Sequence, residues 1–198
     1  QMIFGGISAA YGKKQRYLVD LTYTLRNNSI APSTQTIALP PETAYQNVSI
    51  LSLDPRPDSV TKDADDNWLA EFQIPPKNSV VIKAKLDIAV YLTPSSSFIQ
   101  TPINTESNLS EQAFWETSDD TIKQYAGLYK TPREIYNFVV RTLSYDYSRV
   151  NKETKRLGAK AILSSPNTAL CMEFTDLFIA ISRAAHIPAR RVIGYAYT

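Results

Sequence analysis

The sequence of 198 residues contains one cysteine and one histidine, and these two scarcities limit its chemistry. A single cysteine excludes an internal disulfide, so the thiol count neither indicates nor excludes an oxidising compartment. A single histidine leaves one imidazole, that of His186, available as a general base. The net charge of +2 is too small to indicate nucleic acid as a partner. No apolar run approaches the length of a membrane-spanning helix, so we expect no membrane segment.

Metal ligands in a recognisable spacing are also lacking. The acidic run at residues 63–67 begins like a calcium loop, but Trp68 stands where such a loop requires glycine. Ile74 stands where the closing glutamate should be. We therefore expect an acidic turn there, and neither a metal nor a cofactor elsewhere.

The N-terminal half has a hydrophobic period of two, which is typical of half-buried strands. Turn-forming groups of Pro, Asn, Asp and Ser separate the segments, as in an antiparallel β-sandwich. We predict a β-sandwich domain over residues 1–95, a linker rich in Pro, Ser and Thr over 96–110, and a second core over 111–198. The predicted strands are Tyr17–Leu25, Thr34–Leu39, Val48–Leu53, Trp68–Ile74 and Val80–Leu92.

After Ser118 the pattern becomes helical. Asp119 and Asp120 favour a helix start, because acidic residues complement the positive end of the helix dipole. The run 131–134 combines a threonine N-cap, a proline at the first helical position and the glutamate of a capping box. We expect that helix to reach Leu143, a short helix near 159–163, and a solvated charged loop at 151–157. The fold class predicted for the whole chain is α+β.

The sole cysteine, Cys171, is predicted to begin the last helix. Phe174, Leu177, Phe178 and Ile181 recur at helical spacing, and Pro188 cannot continue the helix, which should stop near residue 186. A cysteine in a first turn faces unpaired N–H groups and the positive helix end, which favour the nucleophilic thiolate. The backbone N–H groups of Cys171 and Met172 could also stabilise an oxyanion. The alternative is that this thiol is only a small buried hydrophobe.

The segment that starts at this cysteine resembles the transglutaminase-like superfamily of papain-type cysteine enzymes. The resemblance rests on Cys171, the apolar helix, the run Arg-Ala-Ala-His-Ile-Pro-Ala-Arg at 183–190 and Gly-Tyr at 194–195. Two residues depart from the family pattern, since Ala169 and His186 stand where the family usually has glycine. Ala169 should crowd the approach to the thiol.

The resemblance implies acyl transfer on peptide or glutamine amide bonds through a thioester on Cys171, by a protease, an amidase or a transglutaminase. It also implies a protein or peptide substrate, a papain-like core with a central strand at 191–198, and a catalytic His and Asp on later strands. This sequence contains no such His or Asp, so we interpret it as an inactive or incomplete fragment of a longer enzyme.

Other candidate residues are interpreted structurally. His186 lies about 20 Å from Cys171 along a helix, too far to act as its base, and should interact with the helix C-terminus. For Glu173 and Asp176, complementing the helix dipole is favoured over acid–base work. Arg190 and Arg191 could bind an acidic ligand, but exposed or salt-bridged arginines are the commoner case.

A second class of function stays open on the sequence. In it the chain is a non-catalytic protein-binding or glycan-binding scaffold that acts through its β-sandwich. The compartment is also open. The apolar start at residues 2–10 lacks a basic region, and it fits an N-terminal tail, an edge strand or the remnant of an export segment, with an extracytoplasmic location favoured.

Overall fold

The computed structural model describes residues 14–63, 66–95, 106–151 and 154–194. These residues fall into two compact units, one built of strands over 14–95 and one built mainly of helices over 106–193. The predicted α+β class is confirmed. Whether the two units are independently folding domains stays a prediction.

Six strands form the first unit. They are β1 (Lys14–Asn27), β2 (Ser33–Leu39), β3 (Gln46–Asp54), β4 (Ser59–Lys62), β5 (Trp68–Ile74) and β6 (Asn78–Tyr91). Two antiparallel three-stranded sheets result, with the orders β1-β6-β3 and β2-β5-β4. The sequence pattern predicted every strand except β4, a segment of four residues too short to show a clear period.

The two sheets enclose a shared core, as expected for a sandwich. Alternate residues of β2 and β5, among them Ile37 and Phe72, pack with Ile82 and Ala84 of β6. Each fully buried large aliphatic side chain stabilises the fold by about 1.5–3 kcal/mol relative to exposure.

Four α-helices form the second unit. They are α1 (Asp120–Leu128), α2 (Pro132–Thr142), α3 (Ala159–Ser164) and α4 (Cys171–Ala184), with short 3-10 turns at Tyr147–Arg149 and Pro166–Thr168. Helix α4 packs against α1, α2 and α3, and its residues Leu177, Ala180 and Ile181 lie in the centre of the core. The capping box predicted at the start of α2 is confirmed, with the hydroxyl of Thr131 accepting the N–H of Glu134.

The structure describes the C-terminal part of the predicted linker at 96–110. Residues 106–110 belong to the helical unit, because Asn108 is buried and its carbonyl accepts the N–H of Ala189 at 3.0 Å. The carbonyls of Ser107 and Ser110 accept hydrogen bonds from the buried guanidinium of Arg183. Residues 96–105 lie outside the described part of the chain.

The strand predicted at 191–198 is not observed over residues 191–194, which have no regular secondary structure. Val192 and Ile193 are 82% and 77% exposed, so here they do not occupy a central strand. Apolar residues on both faces suggested such a strand, but no strand within the described ranges pairs with residues 191–194. The remaining residues of the prediction, 195–198, lie outside the described chain.

Candidate active site

Cys171 is the first residue of α4, and its side chain is exposed. The residue before it, Leu170, is the N-cap, and its carbonyl accepts the first helical hydrogen bond, from Phe174 at 3.2 Å. The thiol is therefore not the buried hydrophobe that the alternative interpretation required. Ala169, two residues before the cysteine, is completely buried.

The first turn of α4 lacks the side-chain cap that most helices have. Leucine has no atom that could accept the N–H groups of that turn, and polar residues are strongly preferred at this position. Within the described part of the chain, no acceptor lies within hydrogen-bond distance of the backbone N–H of Cys171 or of Met172. These two N–H groups belong to the residue that carries the exposed sulfur and to the residue that follows it.

In each of the other three α-helices a side chain accepts at least one N–H group of the first turn. In α1 the Asp119 carboxylate accepts the N–H groups of Thr121 and Ile122. In α2 the cap is Thr131, and in α3 the carboxylate of Glu116 accepts the N–H groups of residues 159 and 160 at 3.1 and 3.2 Å. Among the four α-helices described, α4 alone has no side chain that accepts an N–H group of its first turn.

A fully buried carboxylate fixes the backbone just before the cysteine. Glu173 accepts the N–H of Leu170 at 2.9 Å and the N–H of Leu157 at 3.0 Å, and Arg149 lies 3.9 Å from its Oε2. The sequence prediction that Glu173 only complements the helix dipole is therefore too limited. This carboxylate binds the N-terminus of α4 to the segment that precedes α3.

A second buried carboxylate, Asp176, lies one turn further along α4. The guanidinium of Arg156 forms a bidentate ion pair with it, with 2.7 Å between Nε and Oδ2, and Trp115 donates its indole N–H at 2.8 Å. Hydrogen bonding to Asp176 is the main reason that the pKa of Arg156 is raised. The guanidinium also lies 4.3 Å from the centre of the Phe114 ring.

This ion pair corrects two expectations. Asp176 is a structural ion-pair partner inside the fold, so complementing the helix dipole is not its main role. The segment predicted to be a solvated loop at 151–157 contributes Arg156, whose side chain is only 18% exposed. The charged composition of this segment suggested solvent exposure, but Arg156 pairs with the buried carboxylate of Asp176 on α4.

His186 lies at the opposite end of α4. It follows the helix C-cap with φ of 60°, and its N–H donates to the carbonyl of Arg183 at 2.9 Å. The N–H of Ile187 donates to the carbonyl of Ser182 at 2.8 Å, which completes a Schellman motif. The backbone of residue 186 is left-handed, and glycine adopts that geometry without strain. This explains why the family pattern usually has glycine at this position.

The helix therefore separates the imidazole from the thiol. Helix α4 is fourteen residues long, which corresponds to a length of about 20 Å. His186 lines an open cleft of about 580 Å³ together with Glu106, Lys123 and Arg183. The thiol of Cys171 is not among the groups that line this cleft, so the structure does not bring the two residues together.

The described ranges contain neither a candidate metal site nor a candidate membrane-spanning helix. No group of three or more His, Cys, Asp and Glu side chains there is arranged to hold a metal ion. No helix in those ranges is both long and apolar enough to cross a membrane.

Comparison with known protein families gives a match in the helical region. Residues 116–198, which include all four helices, match the model of the transglutaminase-like superfamily. This match agrees with the resemblance carried by Cys171 and the residues that follow it. Neither the curated proteins nor the solved structures gave a match to the chain.

Proposed function

We propose that Cys171 is the nucleophile of a cysteine-dependent acyl transfer on peptide or glutamine amide bonds. The observation that carries this proposal is the pairing of an exposed thiol with unoccupied backbone donors at the start of α4, inside a transglutaminase-like region. A cysteine that served only to fill the core would be buried, and an ordinary helix start would be capped.

The reaction begins when Sγ of Cys171 attacks the carbonyl carbon of the donor. A C–S bond forms, the carbonyl oxygen gains negative charge, and in this proposal the N–H groups of Cys171 and Met172 stabilise it. Collapse of this intermediate breaks the C–N bond, and the nitrogen leaves as an amine once it has gained a proton. Water or a second amine then attacks the thioester, takes the acyl group and releases the Cys171 thiol.

The test substrate should have a leaving group that departs without being protonated. An amine leaving group needs an acid within about 3 Å, and the one imidazole of this sequence lies about 20 Å away. A p-nitrophenyl ester has no such need, because p-nitrophenolate leaves without a proton. Acylation by such an ester therefore isolates the contribution of the sulfur and its neighbouring N–H groups.

The experiment measures release of p-nitrophenolate from p-nitrophenyl acetate by the purified chain. We expect one equivalent to be released per chain, and none by Cys171→Ala beyond the rate of background hydrolysis. The matched control is Asp120→Cys placed in the Cys171→Ala background. Residue 120 is also an exposed first residue of a helix, but there the Asp119 carboxylate already accepts the N–H groups of the next two residues, Thr121 and Ile122.

We expect Cys171 to react at least about tenfold faster than the control cysteine, since one oxyanion donor is worth about 10²–10³ in rate. Equal rates for the two cysteines would remove the argument from unoccupied donors. Absence of any acylation would leave the binding-scaffold hypothesis as the better one.

A further inference from the structure

Three aromatic rings lie beside the start of α4. Tyr145 pairs with Ala169 in a parallel β-bridge, two residues before the cysteine. Its ring centre is 6.5 Å from that of Phe174, which shares a helix face with Cys171 because the two are three positions apart. The ring of Tyr147 lies 4.8 Å from that of Tyr145, so the three rings form one cluster.

One side of the cluster is exposed to solvent, and the other side packs against the helical core. Tyr145 is 41% exposed and Tyr147 is 81% exposed, whereas Phe174 is half-buried against the helical core. The backbone of this segment is fixed, since the N–H of Asp146 donates to the carbonyl of Ala169 at 2.9 Å. Arg149 adds a hydrogen bond to the carbonyl of Thr168 and holds the end of the following 3-10 turn.

Local hydrogen bonds also make the turn rigid. The carboxylate of Asp146 accepts the N–H of Ser148 at 3.0 Å and its hydroxyl at 2.6 Å. The hydroxyl contact is the main reason that the pKa of Asp146 is lowered. The rings therefore project from a fixed backbone, and binding an apolar group on them requires little ordering of the protein.

We infer that Tyr145, Tyr147 and Phe174 form a subsite for an aromatic or large aliphatic side chain of the acyl donor, next to the carbonyl that Cys171 attacks. This inference rests on the proposed function. Exposed rings that pair at 4.8 to 6.5 Å leave faces and edges on which another apolar group can stack, and such contacts add to the area that is buried. The preferred donor is a peptide with such a residue at or beside the acyl position.

The kinetic test compares two donors, the p-nitrophenyl esters of N-acetylphenylalanine and N-acetylglycine. Each acylation rate constant is divided by that of free N-acetylcysteine with the same ester, which removes differences in intrinsic reactivity. We expect the chain to prefer the phenylalanine ester, and Tyr147→Ala to lower that preference about fivefold with the glycine ester unchanged. Tyr147→Phe keeps the ring and should keep the preference.

Tyr136→Ala is the matched control, because Tyr136 is an exposed tyrosine of α2, 57% accessible, outside the cluster. It should leave both rate constants unchanged. A preference that is absent, or that Tyr147→Ala and Tyr136→Ala alter equally, would overturn the subsite while the nucleophilic role of Cys171 stood.

A binding measurement separates this inference from the chemistry. Cys171→Ala cannot be acylated at this position, so titration with N-acetylphenylalaninamide followed by NMR reports on the rings alone. We expect the ring signals of Tyr145 and Tyr147 to shift, and to shift much less with N-acetylglycinamide. Equal shifts with the two amides, or none, would overturn the subsite. Ring shifts without acylation of the unmodified chain would contradict the proposed function instead.

Discussion

The Glu173 carboxylate accepts the backbone N–H of Leu170 at 2.9 Å, immediately before the cysteine, from a position with no solvent exposure. The same carboxylate accepts the N–H of Leu157 at 3.0 Å. The Glu173 carboxylate therefore connects the residue before α4 with the segment before α3. These two hydrogen bonds help to fix the backbone position at which Cys171 begins the helix.

Replacing Glu173 with glutamine should destabilise the helical unit. The amide keeps only one acceptor oxygen, so one of the two N–H groups loses its partner, and Arg149 loses the facing charge. We expect a loss of about 2 kcal/mol in the free energy of unfolding, measured by urea denaturation. Glu106→Gln, at an exposed glutamate, is the control and should change this free energy by less than about 0.5 kcal/mol. A Glu173→Gln variant as stable as the control would contradict the described contacts.

Asp176→Asn should be more damaging. The substitution leaves the guanidinium of Arg156 without its anionic partner in a largely buried position, and unpaired buried charges cost about 3–5 kcal/mol. Thermal and urea unfolding both report this loss. Asp120→Asn removes a fully exposed carboxylate 3.9 Å from Lys123 and should have an effect below about 0.5 kcal/mol. Similar stabilities for the two variants would argue against a buried ion pair at Asp176.

Glu134 should contribute to the pH dependence of stability. Hydrogen bonds from the N–H of Lys130, then from Thr131, lower the pKa of this carboxyl in the folded state. Its stabilising effect is present above the unfolded-state pKa of about 4.3 and is lost as the pH falls through the lower folded value. Unfolding free energies at pH 6 and pH 3 should therefore differ less for Glu134→Gln than for the unmodified chain. An unchanged difference would show that the carboxylate is not held in this way.

His186→Gly should stabilise the chain. The backbone at this position has φ of 60°, where a residue with a Cβ is strained and glycine is not. We expect a gain of about 0.5–1 kcal/mol in unfolding free energy, with no gain for His186→Ala, which keeps a Cβ. Acylation of Cys171 by p-nitrophenyl acetate should be unchanged in the glycine variant, because the imidazole is at the far end of α4. A slower acylation would mean that His186 takes part in the chemistry.

Local patterns in the sequence predicted much of this structure. The period of two in the N-terminal half identified five of the six strands, and the run 131–134 identified the start of α2. The stripe from Phe174 to Ile181 placed the last helix and put Cys171 in its first turn. These features depend on residues within a few positions of one another, which is why a single sequence reveals them.

Contacts between distant residues could not be predicted in the same way. Asp176 meets Arg156 and Trp115, which are 20 and 61 positions away, and no local spacing indicates such a pairing. The sequence shows that Leu170 cannot act as a polar cap, but only the structure shows that each of the other three α-helices has a side chain that accepts first-turn N–H groups. The aromatic cluster likewise depends on the bridge between Tyr145 and Ala169.

The nucleophilic role of Cys171 is tested most directly by locating the acyl group that stays on the chain after acylation. The chain is treated with p-nitrophenyl acetate, digested with trypsin and analysed by mass spectrometry. We predict a single acetyl group on the peptide of residues 161–183, attached to Cys171 and removed by neutral hydroxylamine as a thioester would be. Acetylation confined to lysine or tyrosine side chains, with an unmodified Cys171, would contradict the proposal.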